Sequence, residues 1–276
     1  MAVELTSPEM MVDLDRYPVL DLSGEVARKV IAEARASLAA TGAAELTGFV
    51  SSEGVAALVA DAESLGSRAH HSEGLGTAYL EVPDFDREEG HPRRWSGHYG
   101  VSAVAYDLIP RTSPLRRIYE WDPALRLIEA VLERGPIYRY ADPFGALNLA
   151  VMGEGDELQW HFDQADFVVS LAIQDATEGG DFEVAPLVRT ATDERYDDVA
   201  AVLNGDRSTV VTLPMTPGTL LIFEGRHSLH RVSPIHGSAL RHVGLLAYDT
   251  KPGTMGSDLL RMNRYGRTEA LPEPPP

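Results

Sequence analysis

Residues 160–166 read WHFDQAD and set an imidazole, His161, two positions before a carboxylate, Asp163. The apolar run FVVSLAIQD follows at once, with the composition of a buried strand. Side chains at i and i+2 of a strand share a face, so His161 and Asp163 are expected to project together, and Gln159 with them. Trp160 and Phe162 alternate away and read as core. A second segment, SLHRVSP at 228–234, offers His230 as a third donor. Two imidazoles and one carboxylate take three coordination positions of an ion such as Fe(II) and leave three open. Those three suit a bidentate 2-oxo acid and O2. His227, His236 and His242 compete with His230. His227 lies before the strand, His236 sits in a turn beside Gly237, and His242 is expected to point opposite to Arg241.

Arg241 opens the strand RHVGLLAYD, eleven residues after His230 and across the turn SPIHGSA. That placement is expected to put a guanidinium beside the metal and deeper in the barrel. The guanidinium fork matches two carboxylate oxygens. A 2-oxo dicarboxylate could thus chelate the ion at one end and meet Arg241 at the other. Asn148, in ALNLAVM, is polar among apolar neighbours. It reads either as a solvated strand residue or as a buried group whose partner is the 2-oxo acid or the substrate. Tyr140 has the same two readings. HPRRWSGHYG, residues 91–100, is either a solvated basic patch or a substrate-recognition segment acting through Arg93, Arg94, Trp95 or His98.

The composition limits the alternatives. The 276 residues suit one large domain or two small ones, and 44% apolar with 24% charged residues is ordinary for a globular chain. Cysteine is absent, which removes disulfides, thiol nucleophiles and thiolate metal sites and fits a cytoplasmic location. A formal charge of −18 argues against nucleic acid and anionic membranes as partners. No apolar run reaches the roughly 18 residues of a membrane span. The first residues, MAVELTSPEMMVDLDR, lack the basic and apolar regions of a secretion signal. A homodimer is compatible with the sequence.

The elements that must position these residues fall into two parts. Residues 1–136 read as a helical support with a covering lid: an irregular lead-in to 23, a helix over 25–38 capped by Ser23, a short strand in AAELTGFV, a helix after Ser51/Ser52, a long polar lid over 67–113, and two helices, PLRRIYEW and DPALRLIEAVLERG, the second capped by Asp122. Residues 137–250 read as eight short strands separated by turn signals and interrupted by one helix, DERYDDVAAVLNGD. This pattern predicts a mainly β, α+β fold: a double-stranded β-helix, of jelly-roll or cupin-like form, buttressed by helices. Residues 251–276 read as a C-terminal extension ending in the extended tail LPEPPP.

Taken in order, His161-Phe162-Asp163, the GTLLIF strand, His230 within LHRVSP and Arg241 resemble the Fe(II)/2-oxoglutarate dioxygenases over roughly residues 137–250. YRYADPFGALNLAVMGEGDELQWHFDQADFVVSLAIQ and GRHSLHRVSP are similar to the BesD-type group, whose members halogenate or hydroxylate free amino acids. The resemblance implies Fe(II) held by His161, Asp163 and His230, with 2-oxoglutarate as co-substrate against Arg241. It also implies O2-dependent hydroxylation of a small, amino-acid-like substrate, with release of succinate and CO2. Halogenases of the group replace the metal-binding carboxylate with a small residue, so Asp163 points to hydroxylation. Desaturation, cyclisation or halogenation would use the same cofactors. A metal-binding jelly roll without chemistry, or a zinc hydrolase, leaves Arg241 unexplained.

Overall fold

The computed structural model describes residues 7–272, so the expected lead-in and tail lie partly outside it. Helix α1 (Glu25–Thr41) buries Ala27, Ile31, Ala34 and Leu38, one stripe at helical spacing, and ends at Gly42 with φ of 70°. Its N-cap is Gly24 rather than Ser23, whose hydroxyl bonds to Asp21 Oδ1 at 2.6 Å. Strand β1 (Ala43–Leu46) and helix α2 (Ser52–Leu65) follow, and the Ser51 hydroxyl caps α2 by accepting from the Gly54 amide. Helices α3 (Pro114–Glu120) and α4 (Asp122–Leu132) are where the sequence predicts them. Asp122 lies inside α4 and binds Arg139 Nη1 at 2.9 Å, so Trp121 is the N-cap.

The stretch expected as a lid is largely structural. It forms β2 (His70–Thr77) and β3 (Ser96–Val104), an antiparallel pair that leaves only 78–95 as connecting loop. Strand β3 joins both halves of the fold. It pairs with β5 (Leu147–Met152) through Ser102–Val104 and with β6 (Glu157–His161) through Tyr99–Gly100. The short β4 (Tyr138–Arg139) precedes β5.

The remaining strands are β7 (Val168–Gln174), β8 (Glu178–Gly179), β9 (Phe182–Ala185), β10 (Val211–Leu213), β11 (Leu220–Phe223), β12 (Leu229–Val232), β13 (Ile235–His236), β14 (Arg241–Leu246) and β15 (Tyr248–Asp249). Helix α5 (Tyr196–Leu203) interrupts them. Helix α6 (Asp258–Tyr265), which the sequence reading did not anticipate, closes the described chain. The main sheet runs β1-β11-β7-β14-β5-β3-β6-β12-β9-β10, with β2 on β3, and every pairing is antiparallel.

This curled sheet is the double-stranded β-helix, and strand alternation gives it two faces. Leu147, Leu149, Val151, Val169, Leu171, Leu220 and Ile222 pack outward against α1–α4. Each such buried side chain contributes about 1.5–3 kcal/mol of transfer free energy. Ala150, Met152, Ala172, Phe182, Val184, Leu221, Phe223 and Val232 fill the interior. The site is built on this interior face.

Candidate metal centre

His161 ends β6 and His230 lies on β12, and the two are register partners. A bulge helps to place them. Leu158 pairs with Val232 and His161 with His230, so three steps on β6 match two on β12. Simple alternation over 159–163 therefore fails, yet His161 still meets His230, with ring centroids 4.3 Å apart. Asp163 follows the end of the strand, its amide donating to the Gly225 carbonyl at 3.0 Å. Phe162 anchors that turn, its amide donating to the Ala78 carbonyl at 2.8 Å and its ring buried.

The two imidazoles are oriented by the same local device. Nδ1 of His161 donates to the Gln159 carbonyl at 2.7 Å, and Nδ1 of His230 to the Ser228 carbonyl at 2.9 Å. With Nδ1 carrying the proton, Nε2 keeps its lone pair, the tautomer a metal requires. His161 Nε2 lies 3.9 Å from Asp163 Oδ1, and His230 Nε2 lies 3.4 Å from Asp163 Oδ2. Oδ2 is buried and accepts no hydrogen bond. One ligand atom from each residue lies within 4.8 Å of the other two. Burial, and then the neighbouring His230, hold the His161 imidazole neutral against the pull of Asp163, with its pKa lowered to about 4. Two fixed lone pairs and an orphaned carboxylate oxygen facing one point fit a divalent cation of the Fe(II) type. Phe182 and Phe223 wall the site against His230, at 5.6 Å and 4.9 Å between ring centroids.

The competing histidines lie outside this donor set. His227 faces Glu224 at 3.6 Å and His236 faces Glu154 at 3.7 Å. His242 is buried in β14 with neither ring nitrogen bonded.

Arg241 opens β14 opposite Met152, on the interior face. It is buried, and its one hydrogen-bond contact among the described residues is a weak one, Nη1 to Met152 Sδ at 4.0 Å. Burial lowers its pKa to about 10, opposed by the charges of Asp175 and Asp181, so it stays cationic at neutral pH. A buried guanidinium without a bonded anion is costly, and a carboxylate ligand relieves that cost. Asn148 shares the interior face two positions before Ala150, is 8% exposed, and leaves Oδ1 unbonded. The Tyr140 hydroxyl is raised in pKa by burial, then by Asp249, Asp163 and Asp166, which places it in the field of the metal-facing carboxylate.

The four lid residues do not converge. Arg93 binds Glu81 at 2.7 Å, Glu194 at 3.2 Å and the Tyr196 hydroxyl at 2.9 Å, with its guanidinium over Tyr79. Arg94 donates to the Arg87 carbonyl at 3.2 Å, and His98 pairs with Glu157 at 3.1 Å. Trp95 packs on the outer cluster that holds Trp160 and Phe162.

Three residues near the centre were not anticipated in these roles. Gln159 is 7% exposed with Oε1 unbonded, beneath the cross-strand pair Gly76 and Gly97, where any side chain would collide with it. Arg264 of α6 lowers the His161 pKa by its charge and makes no hydrogen bond or ion pair among the described residues. Gly225 backs Asp163. A glycine directly after the GTLLIFE run was the only sequence signal for the last of these, and nothing in the sequence marked α6.

This fold with this donor set defines a class, that of the 2-oxoglutarate/Fe(II) oxygenases. Solved structures share the fold. An oxidoreductase of the 2OG-Fe(II) oxygenase family from Burkholderia pseudomallei superposes with a TM-score of 0.51 at 14% identity, covering 81% of this chain and 92% of that one. AviO1 from Streptomyces viridochromogenes gives 0.55 at 19% identity, covering 81% and 96%. The non-heme alpha ketoglutarate dependent epimerase SnoN from nogalamycin biosynthesis gives 0.54 at 15% identity, covering 80% and 83%. The chain belongs to the Halogenase D family, HalD, which it matches over residues 26–257. No curated protein sequence matches it.

Proposed function

We propose that the chain is a 2-oxoglutarate-dependent, non-haem iron hydroxylase of a small polar metabolite, most simply a free amino acid or a derivative. The observation that carries this reading is the convergence of His161, Asp163 and His230 together with the unpaired, buried Arg241. Bound iron, with 2-oxoglutarate and O2, supplies insertion of oxygen into an unactivated C–H bond, with succinate and CO2 as by-products. The chain's own residues do the rest. His161 and His230 present fixed lone pairs, and Asp163 brings the third donor and a negative charge. Arg241 grips the distal carboxylate of the co-substrate by its fork. Asn148 and Tyr140 supply polar contacts around it. The Phe182 and Phe223 rings keep water from the His230 side.

An amino-acid substrate needs a cation for its carboxylate and an acceptor for its ammonium. Arg93 and Arg94 are the lid candidates, with Trp95 and His98 beside them. Because Arg93 is already paired with two carboxylates, Arg264, whose charge reaches His161 and which has no bonded partner among the described residues, is the alternative cation, and the unbonded Gln159 Oε1 the alternative acceptor. A cytoplasmic enzyme acting on small molecules fits the acidic, cysteine-free chain. No described helix is long and apolar enough to cross a membrane.

Family membership favours a second reading, halogenation with the same cofactors. Asp163 argues against it, since a carboxylate in the third position fills the place a halide would take. The test is anaerobic loading with Fe(II) and 2-oxoglutarate, then O2 and a panel of free amino acids. Amino-acid-stimulated succinate release with a product 16 mass units heavier is the expected result. A gain of 34 supports the halogenase reading, and no succinate release with any substrate contradicts both.

A further inference from the structure

We propose that Gly225 is a positioning residue for the metal-binding carboxylate, and that positions 163 and 225 form a size pair: a carboxylate at 163 requires the absence of a side chain at 225. The proposal rests on the reading that His161, Asp163 and His230 hold one metal ion. A methyl group at 225 would fall on Asp163 Oδ2, and would lie 2.8 Å from its Cγ and 3.0 Å from its Cβ. Real Cβ atoms do not approach that closely, so one of the two residues must yield.

The backbone is held on both sides, so the side chain of Asp163 is the part that must turn. Asp163 is held through its amide to the Gly225 carbonyl, and its neighbour Phe162 is buried and bonded to Ala78. Turning the carboxylate away from 225 changes its spacing to the two Nε2 atoms, which lie 3.9 Å and 3.4 Å from its oxygens, and so changes the donor set itself. On the other side, the Glu224 amide donates to the Gly42 carbonyl at 2.7 Å. The Glu224 carbonyl accepts from the His227 and Ser228 amides, and its carboxylate binds Arg134 at 2.6 Å. Gly225 is not among the residues with positive φ, so alanine suits its backbone and the whole conflict falls on the carboxylate. A small residue at 163 would remove that conflict and free 225 to carry a side chain.

The test is a titration with Co(II), used as a spectroscopic probe, of the wild type, Gly225→Ala, Asp163→Ala and the double variant, each followed by thermal unfolding. Gly225→Ala is expected to weaken Co(II) binding about 10–100-fold, in the range seen when support of a metal ligand is lost. Adding Gly225→Ala to Asp163→Ala is expected to cost nothing further, so that the cycle is strongly non-additive. Gly225→Ala that binds Co(II) like the wild type overturns the proposal, as does a double variant that loses the product of both single effects. If Gly225→Ala fails to fold while the double variant folds, the clash is with the carboxylate, as proposed. Failure of both to fold makes Gly225 merely structural and overturns it. A wild type that does not bind Co(II), or an Asp163→Ala that binds it equally well, contradicts the metal site itself and takes the proposal with it.

Discussion

His161 and His230 face each other across adjacent antiparallel strands, and each donates Nδ1–H to the carbonyl two residues earlier in its own chain. These bonds orient both rings from within their own strands and leave each Nε2 within 4 Å of an Asp163 oxygen. Pre-orientation of this kind removes the entropy cost of ordering ligands during binding.

Arg241→Ala is expected to weaken 2-oxoglutarate binding by about 2–3 kcal/mol, roughly 30–150-fold, as for loss of one partner of a buried, hydrogen-bonded charge pair. Co(II) affinity should stay within about twofold of the wild type. Calorimetric titration of both ligands checks this, and an equal loss of both would make the arginine structural. Without co-substrate, Arg241→Met should raise the unfolding free energy by about 1–4 kcal/mol, because it removes a buried charge that lacks a bonded anion.

Much of this site was legible in the sequence because its donors come from short, strongly patterned strands. The eight strands predicted over 137–250 are all present, and His161, Asp163 and His230 come from two of those segments and the turn after the first. What was not legible depends on tertiary context. β2, HHSEGLGT, is half exposed, carries no apolar alternation, and is a strand through its pairing with β3. The bulge between Leu158 and His161 leaves no periodic trace, because it is set by the register of β12. Arg264 lies on helix α6, which leaves Leu259 71% and Leu260 56% exposed and buries only Tyr265, so its apolar residues did not tie it to the core.

His242 provides a pH dependence that is independent of the metal. Burial lowers its pKa below the ordinary value, so the folded protein holds it neutral. Above about pH 6.5 it is neutral in both states and adds no slope. Below that, the unfolded chain takes up the proton preferentially, so stability falls as pH drops toward the lowered folded value. His242→Leu should flatten this slope and, by removing two unbonded buried nitrogens, raise stability at pH 7 by about 1–3 kcal/mol. Chemical denaturation between pH 5 and 8 measures both effects, and an unchanged slope in the variant would contradict the assignment.

Arg93 and Arg264 should behave in opposite ways. Arg93→Ala breaks contacts to Glu81, Glu194, Tyr196 and the Tyr79 ring, and is expected to cost about 1–2 kcal/mol of stability. Arg264→Ala breaks no ion pair, and should leave stability within about 0.5 kcal/mol while raising the KM for an amino-acid substrate at least tenfold. Paired thermal unfolding and initial-rate measurements decide between them. A KM effect confined to Arg93→Ala would return substrate recognition to the lid.

The most direct measurement is a crystal structure of the protein loaded anaerobically with Fe(II), with anomalous scattering recorded at the iron edge. One anomalous peak is expected, within about 2.0–2.2 Å of His161 Nε2, His230 Nε2 and an Asp163 oxygen together. A peak that omits any of the three, or no peak between them, would contradict the account.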